Sequence, residues 1–159
     1  MTKVMEIALT VNGESVIETV PVRMSLVDFL RDRLGLTGSH VGCEHGVCGA
    51  CTLEVNQKMV RGCLMLAVQA NAAQVSTIEG LTSSQRAARL QAAFHRHNAL
   101  QCGYCTPGML ASALQYVEGG GAADRVKIRE HISGNYCRCT GYQAIVDAVV
   151  DVIEEQAST

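Results

Sequence analysis

Gly42-Cys43-Glu44-His45-Gly46-Val47-Cys48-Gly49-Ala50-Cys51 is the stretch that decides how this 159-residue chain is read. Its cysteines follow C-x4-C-x2-C, and Cys63 comes after eleven intervening residues, the spacing of a plant-type 2Fe-2S site. A binuclear iron centre needs thiolates wrapped closely around it. Gly42, Gly46 and Gly49 let the loop adopt positive φ and turn successive amides toward negatively charged sulfur. The competing reading is a zinc knuckle. Structural zinc usually takes cysteines in paired, short-spaced knuckles, and Cys48 and Cys51 have no matching second pair nearby. His40 and His45 flank Cys43, and a Rieske centre uses two histidines, but four cysteines already supply this cluster.

A second group reads Cys102-Gly103-Tyr104-Cys105, then 31 residues, then Cys137-Arg138-Cys139. Thr106-Pro107 has the form of an N-cap with proline at the first helical position, and Met109, Leu110, Ala113, Leu114 and Val117 follow at helical spacing. Thr140 to Gln143 matches a capping box, followed by Ile145, Val146, Val149, Val150, Val152 and Ile153. Both cysteine pairs are therefore predicted at helix N-termini, where unpaired amides and the helix dipole favour anions such as thiolates. A thioredoxin-like redox pair and half of a zinc ribbon are the rivals for Cys102 and Cys105. The first requires a strand and a βαβ pattern upstream, whereas residues 85–97 read as helix. The second is matched poorly by the Cys-x-Cys spacing of Cys137 and Cys139.

Outward from these motifs, the first half reads as strands. Ile7 to Val11 and residues 15–22 flank Asn12-Gly13, a strong hairpin signal. Ser25 caps a short helix carrying Leu26, Val27, Phe29, Leu30 and Leu34. Residues 52–55 and 59–61 flank Asn56-Gln57-Lys58 as a second hairpin, and residues 75–78 add a last strand. From Gly80 to Ser84 the pattern turns helical, with a capping-box form at Thr82 to Gln85. Helices are predicted near 83–97, 107–118, 124–133 and 141–155, with Gly119-Gly120-Gly121 interrupting the set. The expected fold is α+β: a β-grasp, plant-type ferredoxin-like domain over residues 1–80, then a four-helix bundle over 81–159. Met59, Met65 and Met109 are expected as core filler. Each half is small enough that a bound metal adds materially to its stability, so removing iron should loosen both.

Composition narrows the function classes. Hydrophobic residues make up 48% of the chain, as in a globular protein. The formal charge of -2, the lack of a basic run and only 4% aromatic residues argue against a nucleic-acid partner. No apolar run reaches a membrane span, and no secretory leader is evident at the N-terminus, so a cytoplasmic location is expected, where thiols stay reduced. Eight cysteines then point to metal rather than to a disulfide framework. No nucleophile triad, carboxylate pair or phosphate loop can be assembled, so no substrate chemistry is expected in this chain.

Gly42 to Thr52, Gln101 to Met109 and Gly134 to Tyr142 together resemble the iron–sulfur subunit of the molybdenum hydroxylases, the xanthine oxidase family, along nearly the whole chain. Residues 67–71 are most similar to the bacterial three-subunit type, the carbon monoxide dehydrogenase-like members. The resemblance implies Cys43, Cys48, Cys51 and Cys63 on one 2Fe-2S cluster, and Cys102, Cys105, Cys137 and Cys139 on the other. It implies a large molybdopterin subunit and a medium FAD subunit as partners, assembled as a dimer of heterotrimers. Electrons would leave the molybdenum centre through the second cluster, then the first, then FAD. Gln101 and Cys139 match positions that approach the pterin cofactor. Where many relatives have a proline-containing connection this chain has Gly119-Gly120-Gly121, which bears on loop rigidity. The alternatives from other classes are a free-standing two-cluster ferredoxin, usually strongly acidic where this chain is nearly neutral, and a zinc-stabilised interaction module.

Overall fold

In the computed structural model, residues 3–158 are described. Strands β1 (Val4–Val11) and β2 (Glu14–Pro21) form an antiparallel hairpin in which Val4 faces Pro21 and Val11 faces Glu14. Its two turn residues have positive φ, 52° at Asn12 and 89° at Gly13, as a type I′ turn requires. Strands β3 (Thr52–Val55) and β4 (Lys58–Arg61) form the second hairpin. Its turn is tighter than expected: Lys58 already pairs with Val55, leaving only Asn56 and Gln57 to reverse the chain, with φ of 48° and 65°. Strand β5 (Gln74–Ser76) lies parallel to β1 and antiparallel to β3, giving a five-stranded mixed sheet ordered β2-β1-β5-β3-β4.

Ser25 caps α1 (Leu26–Asp28), its Oγ accepting from the Asp28 amide at 3.1 Å, and the chain then widens into a π turn over Phe29–Arg33. Leu26, Phe29 and Leu30 are fully buried against Ile7, Leu9, Val11, Leu53, Val55 and Val75 from one face of the sheet. A short 3-10 segment, Ala67–Ala70, closes this first core, and Met65 packs at its edge. Each such aliphatic or aromatic side chain contributes about 1.5–3 kcal/mol by leaving water.

The helical half comprises α2 (Ile78–Ser83), α3 (Ala88–Arg96), α4 (Thr106–Glu118), α5 (Arg125–Ile132) and α6 (Gln143–Ala157). The helix predicted over 83–97 is α3 alone, starting only at Ala88, and α2 is an additional helix where none was expected. Asn12, at the first hairpin turn, accepts from the Thr77 amide and donates to its hydroxyl, both at 2.9 Å, so helix starts at Ile78. Thr82 is then inside α2 rather than capping a later helix, and Gln85 takes φ 63°, turning the chain before α3. Leu81, Leu90, Phe94, Met109, Ile128, Ile132, Ile145 and Val149 make a second, separate core, with Met59 packed against it from the sheet. The Gly119-Gly120-Gly121 loop is tied down by Tyr116, whose hydroxyl donates to the Ala122 carbonyl at 2.9 Å while its carbonyl accepts from the Gly121 amide at 2.9 Å. Among the described residues no helix is long and apolar enough to cross a membrane.

The two cores meet across β3, all four of whose residues are buried. Leu53 and Val55 face the first core; Thr52 and Glu54 face the helices. The Glu54 carboxylate, 6% exposed, receives two bonds of 3.0 Å from Arg86, which also bonds Glu118 at the end of α4. Between two carboxylates the Arg86 guanidinium is held firmly in its charged form.

Candidate metal centres

The loop carrying Cys43 and Cys48 leads straight into β3, and the β3–β4 hairpin returns the chain so that the Gly62 amide bonds the Cys51 carbonyl at 3.1 Å. That bond sets Cys63 beside Cys51, at the start of β3. The Cys48 amide donates to Cys43 Sγ at 3.3 Å, an inward-turned donor of the kind the sequence predicts. Amides of Cys48 and then His45 pull the Cys43 thiol down to about 6. Burial works the other way on Cys51, pushing it up to about 11. Two of the three loop glycines have positive φ, Gly46 at 84° and Gly49 at 75°. Gly42 does not; it is small because a Cβ there would lie 3.1 Å from Cys48 Sγ. At Gly49 a Cβ would meet the Gly134 carbonyl oxygen at 2.6 Å.

The second group assembles from two separated segments. Cys105 is itself the N-cap of α4, one residue earlier than Thr106-Pro107 suggested, and Cys102 stands just before it. Burial drives the Cys105 thiol up to about 12. The segment after α5 brings Cys137 beside Cys105, and Cys139 Sγ lies 3.6 Å from Cys102 Sγ. The capping box expected at Thr140 and Gln143 does not form. The Thr140 hydroxyl instead donates to Cys137 Sγ at 3.1 Å and accepts from the Tyr142 amide at 3.2 Å, and Tyr142 enters α6 with φ 69°. Burial resists ionisation of Cys137, but the Thr140 hydroxyl and amide outweigh it and lower the thiol.

All eight cysteines are free thiols, and their mutual interactions link them as two groups of four. Within each group the sulfurs sort into pairs: Cys43 with Cys48, Cys51 with Cys63, Cys102 with Cys139, and Cys105 with Cys137. A binuclear centre asks for that arrangement, two thiolates on each iron, with inward amides and hydroxyls stabilising the sulfur charge. No group of three or more His, Cys, Asp or Glu converges as a single-ion site among the described residues. His40 Nδ1 is 2.7 Å from the Tyr104 carbonyl oxygen, with the two rings stacked at 4.7 Å, and His45 Nδ1 contacts the Cys43 carbonyl. The donor set fits two 2Fe-2S clusters. Gln101 Nε2 donates to the carbonyl of the exposed Cys139 at 3.0 Å, so the two residues expected to approach a pterin lie together, beside the exposed Cys102.

Residues that sequence reasoning missed join the two groups. The Tyr136 amide donates to the Cys48 carbonyl at 2.8 Å, and the Tyr104 hydroxyl to the Val41 carbonyl at 2.7 Å. Asn135, 2% exposed, bonds the Gly49 carbonyl, and Arg61 bonds that of Gly134. Gly108 in α4 packs so closely that a Cβ would lie 2.2 Å from the Gly49 carbonyl oxygen. None of these has a signature in spacing or periodicity; only their nearness to the cysteines in the chain marked them.

Comparison with known proteins agrees with this geometry. Residues 9–82 match a family described as a 2Fe-2S iron-sulfur cluster binding domain, and residues 77–150 one described as a 2Fe-2S binding domain. The chain is 51% identical over 151 residues to caffeine dehydrogenase subunit gamma of a Pseudomonas species, covering 92% of this chain and 89% of that one. It is 48% identical to the nicotine 6-hydroxylase small subunit of Paenarthrobacter nicotinovorans, covering 92% and 88%. The crystal structure of quinoline 2-oxidoreductase from Pseudomonas putida 86 superposes with a TM-score of 0.88 at 45% identity, covering 98% of this chain and 96% of the matched one. With two 2Fe-2S-binding domains and relatives that match it almost end to end, the chain belongs to the family of iron–sulfur small subunits of the molybdenum hydroxylases.

Proposed function

We propose that the chain is the electron-transfer subunit of a molybdenum-containing hydroxylase, linking a large molybdopterin subunit to a medium FAD subunit in a cytoplasmic dimer of heterotrimers. Cys43, Cys48, Cys51 and Cys63 would hold the first cluster, in a β-grasp domain over residues 1–80. Cys102, Cys105, Cys137 and Cys139 would hold the second, in a helical-bundle domain over 81–159. A bound 2Fe-2S cluster supplies one-electron storage at a potential set by its ligands, hydrogen bonds and exposure. The residues of this chain supply the thiolates, the inward donors from Cys48 and Thr140, and the packing that keeps the two sites together. Gln101, bonded to the Cys139 carbonyl, would face the pterin at the exposed edge of the second site. The one observation that carries the reading is the sorting of eight free cysteines into two groups of four, each as two sulfur pairs.

The test is anaerobic purification with metal analysis, visible absorption and EPR after reduction. Iron and acid-labile sulfide for two binuclear clusters, and two distinct reduced 2Fe-2S signals, are expected. A colourless zinc protein overturns the reading. Co-purification with molybdenum- and flavin-containing chains is also expected, whereas a stable isolated monomer would favour a free-standing two-cluster carrier. In the assembled enzyme, Cys48→Ser should abolish flavin reduction by substrate while molybdenum stays reducible.

A further inference from the structure

Between the two cysteine groups lies a side chain whose hydrogen-bonding capacity is fully used, although it touches no sulfur. Asn135 is 2% exposed. Its Nδ2 donates to the Gly49 carbonyl at 3.0 Å and to Thr52 Oγ1 at 3.2 Å, while its Oδ1 accepts from Ser112 Oγ at 2.9 Å and from Arg61 Nη2 at 3.4 Å. The carbonyl of Gly49 can only accept, so the amide has one orientation that satisfies all its partners. Those partners come from the first cysteine loop, β3, α4 and β4. The Asn135 backbone is anchored as well, its amide bonding the Ile132 carbonyl at 2.9 Å at the end of α5.

Position in the chain gives this hub its meaning. Gly49 follows Cys48 directly, and Asn135 precedes Cys137 by two residues. The residue between, Tyr136, donates its amide to the Cys48 carbonyl at 2.8 Å. One hydrogen bond therefore joins the backbone of a cysteine in the first group to that of the residue next to a cysteine in the second. Tyr136 is itself 55% exposed, so its side chain is not buried enough to hold that bond in place. The adjoining buried amide is.

We propose that Asn135 is a positioning residue that fixes the separation and orientation of the two metal sites by holding the Tyr136 amide on the Cys48 carbonyl. The proposal rests on the two-cluster reading above. A leucine at 135 has similar volume but leaves the Gly49 carbonyl, the Ser112 hydroxyl and one Arg61 donor without this partner. A serine retains polarity but is too short to reach Gly49 and Ser112 together.

The experiment compares wild-type, Asn135→Leu, Asn135→Ser and Ser112→Ala proteins, each with iron content measured. Two readouts are used: the spin–spin splitting between the fully reduced clusters in low-temperature EPR, and hydrogen exchange at the Tyr136 amide. A merely structural residue would lower the melting temperature without altering the splitting of molecules that hold both clusters. Both Asn135 variants are expected to retain two individual cluster signals, to lose or narrow the inter-cluster splitting, and to exchange the Tyr136 amide about tenfold faster. Ser112→Ala removes one bond to Oδ1 and leaves the Gly49 contact, so its splitting should match wild type. If Asn135→Leu does not accumulate, Asn135→Ser carries the same comparison. Unchanged splitting and unchanged Tyr136 exchange in an Asn135 variant loaded with both clusters overturn the proposal alone. Wild-type protein lacking two clusters overturns the two-cluster reading as well, and iron analysis separates the two failures.

Discussion

Replacing Gly108 with alanine sets two effects against each other, and the structure decides which is larger. In a helix, alanine is favoured over glycine by about 1 kcal/mol, so propensity alone predicts a more stable protein. The added Cβ would fall 2.2 Å from the Gly49 carbonyl oxygen and 3.2 Å from both the Ala50 carbonyl oxygen and Asn135 Nδ2. An ordinary carbon-to-oxygen approach is about 3.3 Å, so α4 and the first cysteine loop must separate by about 1 Å. The obstructing atom is backbone and cannot rotate away. Overpacking of this kind costs about 1–3 kcal/mol, and straining the Asn135 bond to the same carbonyl adds about 0.5–1.5 kcal/mol. After subtracting the propensity gain, the variant should be less stable by about 0.5–3.5 kcal/mol, lowering the melting temperature by about 1–14 °C for a chain of this size. Thermal unfolding of the iron-loaded protein, followed by circular dichroism, measures it. A melting temperature equal to or above wild type would refute the reasoning.

Arg86→Ala leaves the Glu54 carboxylate buried without its cation; with Arg86 itself 36% exposed, screening limits the loss to about 1–3 kcal/mol in denaturant unfolding, and Glu54→Gln should lose less. Asp151 is held below its ordinary carboxylate value by Arg96 and then His97. Its contribution is therefore present above the ordinary value of 3.8 and is lost as pH falls through its folded pKa, so Asp151→Asn should lower stability by a constant amount near neutrality, flatten the acid limb of a stability-versus-pH curve below about pH 4, and approach wild type at the acid end. Stripping iron with a chelator under reducing conditions should speed limited proteolysis in both cysteine loops, because the four sulfurs of each group then have only weak thiol bonds to hold them; equal cleavage rates with and without iron would contradict this.

Much of the fold was legible because its signals are local. Asn12-Gly13 names a turn that two left-handed residues must make, and Ser25 before an apolar run names a cap; both appear where expected. The spacing of the cysteines likewise suggested two groups of four, the basis of the two-cluster proposal. What failed locally failed where tertiary contacts took over the same atoms. Thr140 has the chemistry of a capping residue, but its hydroxyl is spent on Cys137 sulfur. Thr82 is a plausible cap until Asn12, seventy residues earlier in the chain, fixes the helix start at Ile78. The join between the sites was not legible as a contact: Asn135 and Gly108 lie within the family motifs, but they and Arg61 act through partners distant in sequence that no local pattern names.

The seam across β3 also governs how damage to the two halves combines. Residues such as Phe29 and Phe94 belong to separate cores with a polar layer between them. Truncations placed one in each core share no neighbours, so their free energies should sum. Lesions placed within the layer, at Arg61, Asn135 or Ser112, draw on one another's hydrogen bonds and should not. The halves can thus accumulate hydrophobic substitutions independently, while the polar layer between them can change only as a unit.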